Sequence, residues 1–328
     1  MLQIKILYGK VVLILGCLFI GAVLLVVVFS LIENALDEAE NDISALHTDS
    51  INGQILYESN WYIPKDSLES ILILGIDKMV SGPEERKNSE QADFLALVVL
   101  DKDKETYKII YINRDTITDI PQTDAFGEVY GYIKGQLALA HTYGNDEKTK
   151  CRNTENTVEK LLYGINIDHY LSMTMDAVAV LNDSVGGVTV QLMDDFTELD
   201  ETFLKNTVVT LKGEQALTYV QARVSLEDSS NLHRMDRQKQ YISALLEKLS
   251  SYEIENDSDA LIEVSEYLVS DCTIEQLSRM LERIGNYTCE ETISIEGEAV
   301  KGNEFIEFYA DEQALQELVI ETFYEKKD

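Results

Sequence analysis

The sequence predicts an α/β domain, a mixed central β-sheet sandwiched by helices, preceded by one N-terminal transmembrane helix. Three observations carry this expectation. Residues 11–32 (VVLILGCLFIGAVLLVVVFSLI) form an apolar run without a charge. Three short strand-like runs then stand close together: ILILGI at 71–76, LALVVL at 95–100 and YKIIYI at 107–112. Beyond them, helical and strand-like patterns alternate, as in layered α/β folds.

The apolar run comes first in the chain. At roughly 1.5 Å per residue it reaches about 33 Å, enough to cross a hydrocarbon core of about 30 Å. Lys5 and Lys10 precede it, whereas Glu33, Asp37, Glu38 and Glu40 follow. The positive side stays in the cytoplasm, so the C-terminal bulk is expected outside. The alternative, a cleaved signal peptide, has a shorter apolar stretch of ~7–15 residues and a small-residue cleavage site, which Phe29 to Glu33 does not offer. The expected plan is therefore a cytoplasmic N-terminus at 1–10, a single membrane-spanning helix at 11–32, an acidic stalk at 33–60 and one domain over 61–328.

Within the domain, Asp101 to Glu105 suits a hairpin between the second and third runs. A helix is expected at 154–162, with Asn153 as its cap. The strand DHYLSMT, a helix at 175–182, a turn at Gly186-Gly187 and the strand VTVQL follow. Residues 233–249 read as a long helix, 292–296 and 304–309 as strands, and 312–323 as a closing amphipathic helix.

Composition removes some functions. The chain carries 27 Lys+Arg against 59 Asp+Glu, a formal charge of −32, so it lacks the basic footprint of a nucleic-acid binder. Four His residues and no Cys-x-x-Cys spacing argue against a zinc site. Cys151, Cys272 and Cys289 lie beyond the anchor; an odd number allows one disulfide at most, and Cys272 with Cys289 is the expected pair. No serine stands in a Gly-x-Ser-x-Gly elbow. His141 and His169 read as core or turn residues.

Arginine is the informative residue. Eight occur, and Arg223, Arg234 and Arg237 fall within fifteen positions of a carboxylate-rich chain. Guanidinium forks match phosphate oxygens two at a time and keep their charge, so the cluster suggests phosphate recognition. At about 100° per residue, Arg234, Gln238, Tyr241 and Leu245 share one side of the 233–249 helix, while Asp236 and Glu247 point away. Inward charges must be paired or hold a ligand, and the sequence leaves both open for Arg234. Asp77 closes the first strand and Asp93 opens the second. If those strands are neighbours, the pair suits one Mg2+; otherwise both are turn aspartates. Arg114 follows the third strand directly, either as a ligand or as a strand-end ion pair.

These pieces, in this order, resemble the LytR-CpsA-Psr family of cell-envelope glycopolymer transferases. The resemblance runs through ILILGID, ADFLALVVLDKDKETYKIIYINRDTITDIP, AHTYG, GINIDHYLSMTMDAVAVLNDSVGGVTVQL and LKGEQALTYVQARVSLEDSSNLHRMDRQKQ. It implies a transfer of glycan from a polyprenyl pyrophosphate carrier to peptidoglycan, with Mg2+ on the pyrophosphate, at the membrane of a Gram-positive bacterium. It assigns Asp77 and Asp93 to the cation, and catalysis to Arg114, Arg223 and Arg234. Arg237, Gln238, Gln221 and Gln91 fall at the pyrophosphate. The chain is a divergent member: Gln91 and Gln221 stand where the family has Arg, with Arg86 or Lys87 as possible substitutes. That divergence motivates a second expectation, a weakened member that binds polyprenyl pyrophosphate in a regulatory or scaffolding role. A third is a lipid pyrophosphatase.

Overall fold

The structure is a computed structural model and describes residues 47–49, 53–77, 90–124, 129–197, 200–222, 232–250, 264–302 and 305–327. The expected anchor at 11–32 lies outside them. Among the described residues, no helix is long and apolar enough to cross a membrane. Two compact units are distinguished, one comprising Met1–Ile63 with Lys326–Asp328, the other Pro64–Glu325.

The first unit departs from the expected stalk. Strand His47–Asp49 pairs antiparallel with Gln54–Tyr57, which pairs with Asn60–Pro64 in the register Ile55↔Tyr62. Glu58 and Ser59 close that hairpin with φ of 45° and 67°, the left-handed pair that a two-residue turn needs. Neither is Gly or Asn, so the turn carries no sequence signal. Ordered structure thus starts before Trp61.

The second unit is built on a six-stranded mixed sheet. Its strands are β1 (Leu68–Ile76), β2 (Ala92–Asp101) and β3 (Thr106–Ile112). After the hairpin β4 (Ile117–Thr123) and β5 (Val129–Gln136) and helix α1 (Glu147–Leu161) comes β6 (His169–Thr174). Helix α2 (Met175–Ser184), the hairpin β7 (Val188–Gln191) and β8 (Val208–Leu211), α3 (Glu214–Gln221) and α4 (Leu232–Ser250) follow. The chain closes with β9 (Leu268–Ser270), α5 (Ile274–Asn286), β10 (Thr288–Ser294), β11 (Gly297–Lys301), β12 (Ile306–Ala310) and α6 (Glu312–Phe323). The sheet order is β9-β6-β1-β2-β3-β10.

The runs expected as buried strands occupy its centre. β1 and β2 pair antiparallel from Leu68↔Asp101 to Ile76↔Ala92, with a bulge after Gly75. β2 and β3 form the expected hairpin, and β1 runs parallel to β6. Both faces of the central strands are buried, which explains why they read as continuous apolar runs. Ile71, Ile73, Ala96, Val98 and Tyr111 share one core with Met175, Leu217, Tyr241 and Leu245 from the α2–α4 helices. The other face carries Leu72, Leu74, Leu95 and Leu97, all fully buried. On α1, Cys151 and Val158 are buried as well, and the Cys151 thiol is close to the Nε2 of the buried His141 (3.7 Å). Gly75 is closely packed: a Cβ there would lie 3.0 Å from that of Phe94, which would have to shift by a few tenths of an ångström.

Three local expectations are corrected. Helix α1 begins at Glu147, capped by the Asp146 carboxylate, which accepts from the Thr149 N–H (2.8 Å). Asn153 sits inside the helix and donates from Nδ2 to Ala140 O (2.9 Å). Cys272 and Cys289 are free thiols. They stand at opposite ends of α5, and its thirteen residues span about 20 Å, far beyond the Cα separation of about 4.4–6.8 Å that a disulfide tolerates.

Helix α1 also buries a carboxyl. Glu155 is 6% exposed, and burial, reinforced by Glu159 and Asp271, pushes its pKa from 4.5 up to about 7. Because the folded value is the higher one, the stability of the protonated form is full below about 4.5 and is lost as pH rises through about 7. That loss amounts to at most about 3 kcal/mol. Glu155→Gln should remove this component, so the urea midpoint of the variant should fall less than that of the wild type between pH 5.5 and 8.

Candidate functional site

The site forms where β1 ends, β2 begins and β3 leaves the sheet. The Asp77 N–H donates to Gln91 O (2.9 Å), one step beyond the Ile76↔Ala92 pair. Asp77 and Asp93 therefore stand on facing ends of adjacent strands, the arrangement on which the cation expectation depended. The Glu90 N–H donates back to Asp77 O (3.2 Å). Glu90 itself is fixed twice: its carbonyl accepts from His141 Nδ1 (2.9 Å) and its carboxylate from Lys150 Nζ (2.6 Å). His141 is buried, and burial lowers its pKa. It is thus a neutral ring holding the loop end beside Asp77, in keeping with its reading as a core residue.

Arg114 leaves β3 into a tight turn. Asn113 shapes that turn, its Oδ1 accepting from the Asp115 N–H (2.9 Å) and its carbonyl from Thr116 Oγ1 (2.6 Å). Asp115 is buried, accepts from Gln136 Nε2 (3.1 Å) and lies 3.4 Å from Arg114 Nε. From there the guanidinium reaches back to β2: Nη1 pairs with Asp93 Oδ1, and Nη2 donates to Gln91 Oε1 (2.7 Å).

Helix α4 brings the remaining groups. Arg234 is 9% exposed, Gln238 6% and Tyr241 1%, whereas Asp236 and Glu247 are exposed. The inward face read from the sequence is the face that packs. Arg234 Nη1 lies 3.5 Å from Asp93 Oδ2, so Asp93, itself 8% exposed, sits between two guanidiniums. Gln238 donates from Nε2 to Val220 O (3.2 Å), while its Oε1 is shielded from solvent and has no hydrogen-bond partner.

Arg237 departs from expectation. It is 2% exposed and is engaged away from the pyrophosphate position assigned to it. Nε donates to Tyr219 O (3.1 Å), Nη1 to Asp194 (2.6 Å) and Nη2 to Ala222 O, while the guanidinium lies over the Phe196 ring. The helical angle separates Arg237 from Arg234 by about 300°, enough to send it to the α3 side of the stripe. Gln221 ends α3 half-buried. Arg223, Arg86 and Lys87 lie outside the described residues.

Sequence reasoning did not find the apolar half of the site. An open apolar groove is lined by Gly75, Phe94, Met175, Val178, Leu181 and Tyr241, with Gln238 and Thr174 among its few polar groups. Phe94 and Gln238 also line an adjoining hollow that holds Asp93, Arg114 and Lys239. The groove and the charged pair are therefore contiguous, with Gln238 at their junction. Its walls come from β1, β2, β6, α2, α3 and α4, and no linear pattern announces such a convergence.

The LytR_cpsA_psr family model matches residues 25–323. The chain belongs to this family. Among curated LytR_cpsA_psr relatives, it is 28% identical over 243 residues to the polyisoprenyl-teichoic acid--peptidoglycan teichoic acid transferase TagU of Halalkalibacterium halodurans, covering 71% of each protein. It is 29% identical over 225 residues to the corresponding transferase TagV of Bacillus subtilis, covering 66% of this chain and about half, 51%, of that protein. Among solved structures, TagT bound to LI-WTA superposes with a TM-score of 0.61 at 25% identity, covering 78% of this chain and 90% of that one. The mixed α/β fold is thus that of LytR_cpsA_psr proteins.

Proposed function

We propose that this protein is a membrane-anchored phosphotransferase that moves a glycopolymer from a polyprenyl pyrophosphate carrier to peptidoglycan with Mg2+. One observation carries the proposal: a pair of guanidiniums around Asp93 opens directly into an apolar groove. That combination matches an amphiphile with an anionic head and a hydrocarbon tail. Family membership and the transferase names of the relatives support the same reading.

In this reading Arg114 and Arg234 grip the pyrophosphate, joined by Arg223. The acceptor hydroxyl oxygen attacks the phosphorus next to the glycan, the bridging P–O bond breaks, and polyprenyl monophosphate leaves, with the hydroxyl proton passing to the departing phosphate or to solvent. The arginines neutralise charge that develops on the bridging and equatorial oxygens. Asp77 and Asp93 offer the hard carboxylate oxygens that suit Mg2+. When bound, the ion would neutralise pyrophosphate charge. Two guanidiniums beside Asp93 repel a bare cation, so the cation is expected to bind together with the pyrophosphate. The anchor at 11–32 holds the domain beside the leaflet that presents such a lipid.

The full-length chain, given a polyprenyl pyrophosphate-linked glycan, peptidoglycan and Mg2+, should yield polyprenyl monophosphate and polymer attached to the acceptor. Glycan phosphate released to water would instead identify a pyrophosphatase. Lipid binding without any product at saturating Mg2+ would favour the regulatory reading, which draws on Gln91: it accepts from Arg114 and brings no charge of its own.

The groove makes a separate expectation. Val178→Gln places a polar amide on its wall. Losing the burial of one apolar side chain costs about 1.5–3 kcal/mol, so KM for a long-chain carrier should rise roughly tenfold or more. A short-chain, water-soluble pyrophosphate should show no such change.

A further inference from the structure

A second cluster of ligand-type side chains lies at the opposite end of the sheet from Asp93. His169 opens β6, where it pairs with Ile71 near the start of β1. Asp271 and Cys272 follow β9 directly, and the pair Ser270↔Leu171 carries them alongside Tyr170 and His169. One ligand atom from each of His169, Asp271 and Cys272 lies within 4.8 Å of the other two.

The cluster is held by backbone. The Tyr170 N–H donates to Asp271 Oδ1 (3.1 Å), the Cys272 N–H to Ser270 Oγ (3.0 Å), and Ser270 Oγ to Tyr170 O (2.6 Å). Thr273 then starts α5 with a reciprocal capping box. The His169 Nδ1 is shielded from solvent, makes no hydrogen bond and lies 3.6 Å from Asp271 Oδ1. The surroundings are acidic: Glu159, Asp271 and Asp168 all act on the neighbouring Glu155, with Arg152 opposing them.

We propose that His169, Asp271 and Cys272 form a Zn2+ site that fastens the short edge strand β9 and the start of α5 to the sheet. One imidazole nitrogen, one thiolate and one carboxylate make a borderline-soft donor set that suits tetrahedral Zn2+ with water in the fourth place. Mg2+ and Ca2+ favour oxygen donors and would not be held by this set. Binding displaces the Cys272 proton to solvent, so the metal carries the sulfur as thiolate.

The test uses the full-length chain in detergent, stripped with a chelator and titrated with Co2+ as the spectroscopic probe. One equivalent should bind with a thiolate-to-cobalt charge-transfer band, and Zn2+ should displace it. Cys272→Ser should abolish the band, whereas Cys289→Ser and Asp93→Asn should leave it intact. His169→Gln and Asp271→Asn should each weaken binding by about tenfold or more. Absence of the band in the unmodified chain, or its survival in Cys272→Ser, overturns the site. Should that variant fail to fold, Zn2+ protection of Cys272 from alkylation in the unmodified chain decides the question: protection supports the site and unchanged alkylation overturns it. No step reads transfer activity, so this result is independent of the phosphate-site assignment.

Discussion

Arg114→Ala should lower kcat for polyprenyl pyrophosphate turnover by about 10²–10³-fold, the usual cost of removing one preorganised donor from developing charge. The change takes away the partner of Asp93 Oδ1 and the donor to Gln91 Oε1 together. Arg114→Lys should recover little, because a single ammonium cannot span two acceptors held by different residues. The variant should still fold, since Arg234 remains beside Asp93, and its Tm should stay within a few degrees of wild type. Radiolabelled carrier, followed to monophosphate product, measures the effect. Unchanged turnover would remove Arg114 from the chemistry and with it the central claim about the site.

Arg237→Ala should show the reverse profile, a large loss of stability. Its guanidinium is nearly sealed and bonds to Asp194 and to two carbonyls of the α3 region. Removing one partner of such a buried pair costs about 3–5 kcal/mol. For a domain of this size that corresponds to a fall in Tm of about 10 °C. Calorimetry on the full-length chain checks it, and a shift under a few degrees would show that Arg237 is not a structural pin. The two variants thus separate an arginine assigned to the chemistry from one that serves the fold.

The central strands and α4 were legible because their burial is written locally. ILILGI and LALVVL are buried on both faces, and the α4 stripe of Arg234, Gln238, Tyr241 and Leu245 follows the helical repeat. The facing of Asp77 and Asp93 was legible only as a condition, because adjacency of β1 and β2 is a property of the sheet. Tertiary partners decided the misses. Asn153 has the chemistry of a cap, but Ala140 O claims its amide and Asp146 starts the helix about two turns earlier. Arg237 could not be told from a ligand, because its partner Asp194 lies 43 residues away. The His169, Asp271 and Cys272 cluster was invisible to spacing rules, since two of its members follow the third by about a hundred residues.

The groove walls bear on selectivity. Phe94, Met175, Val178 and Leu181 offer almost no directional chemistry, and thioether side chains adapt to chains of differing bend and length. On the proposed reading, these walls and the arginines of the mouth touch only what every lipid-linked intermediate has in common: an isoprenoid and two phosphates. Such a site recognises the vehicle and is blind to the freight. Discrimination among wall polymers would then be a matter of supply, set by which lipid-linked chains the cell delivers to this surface.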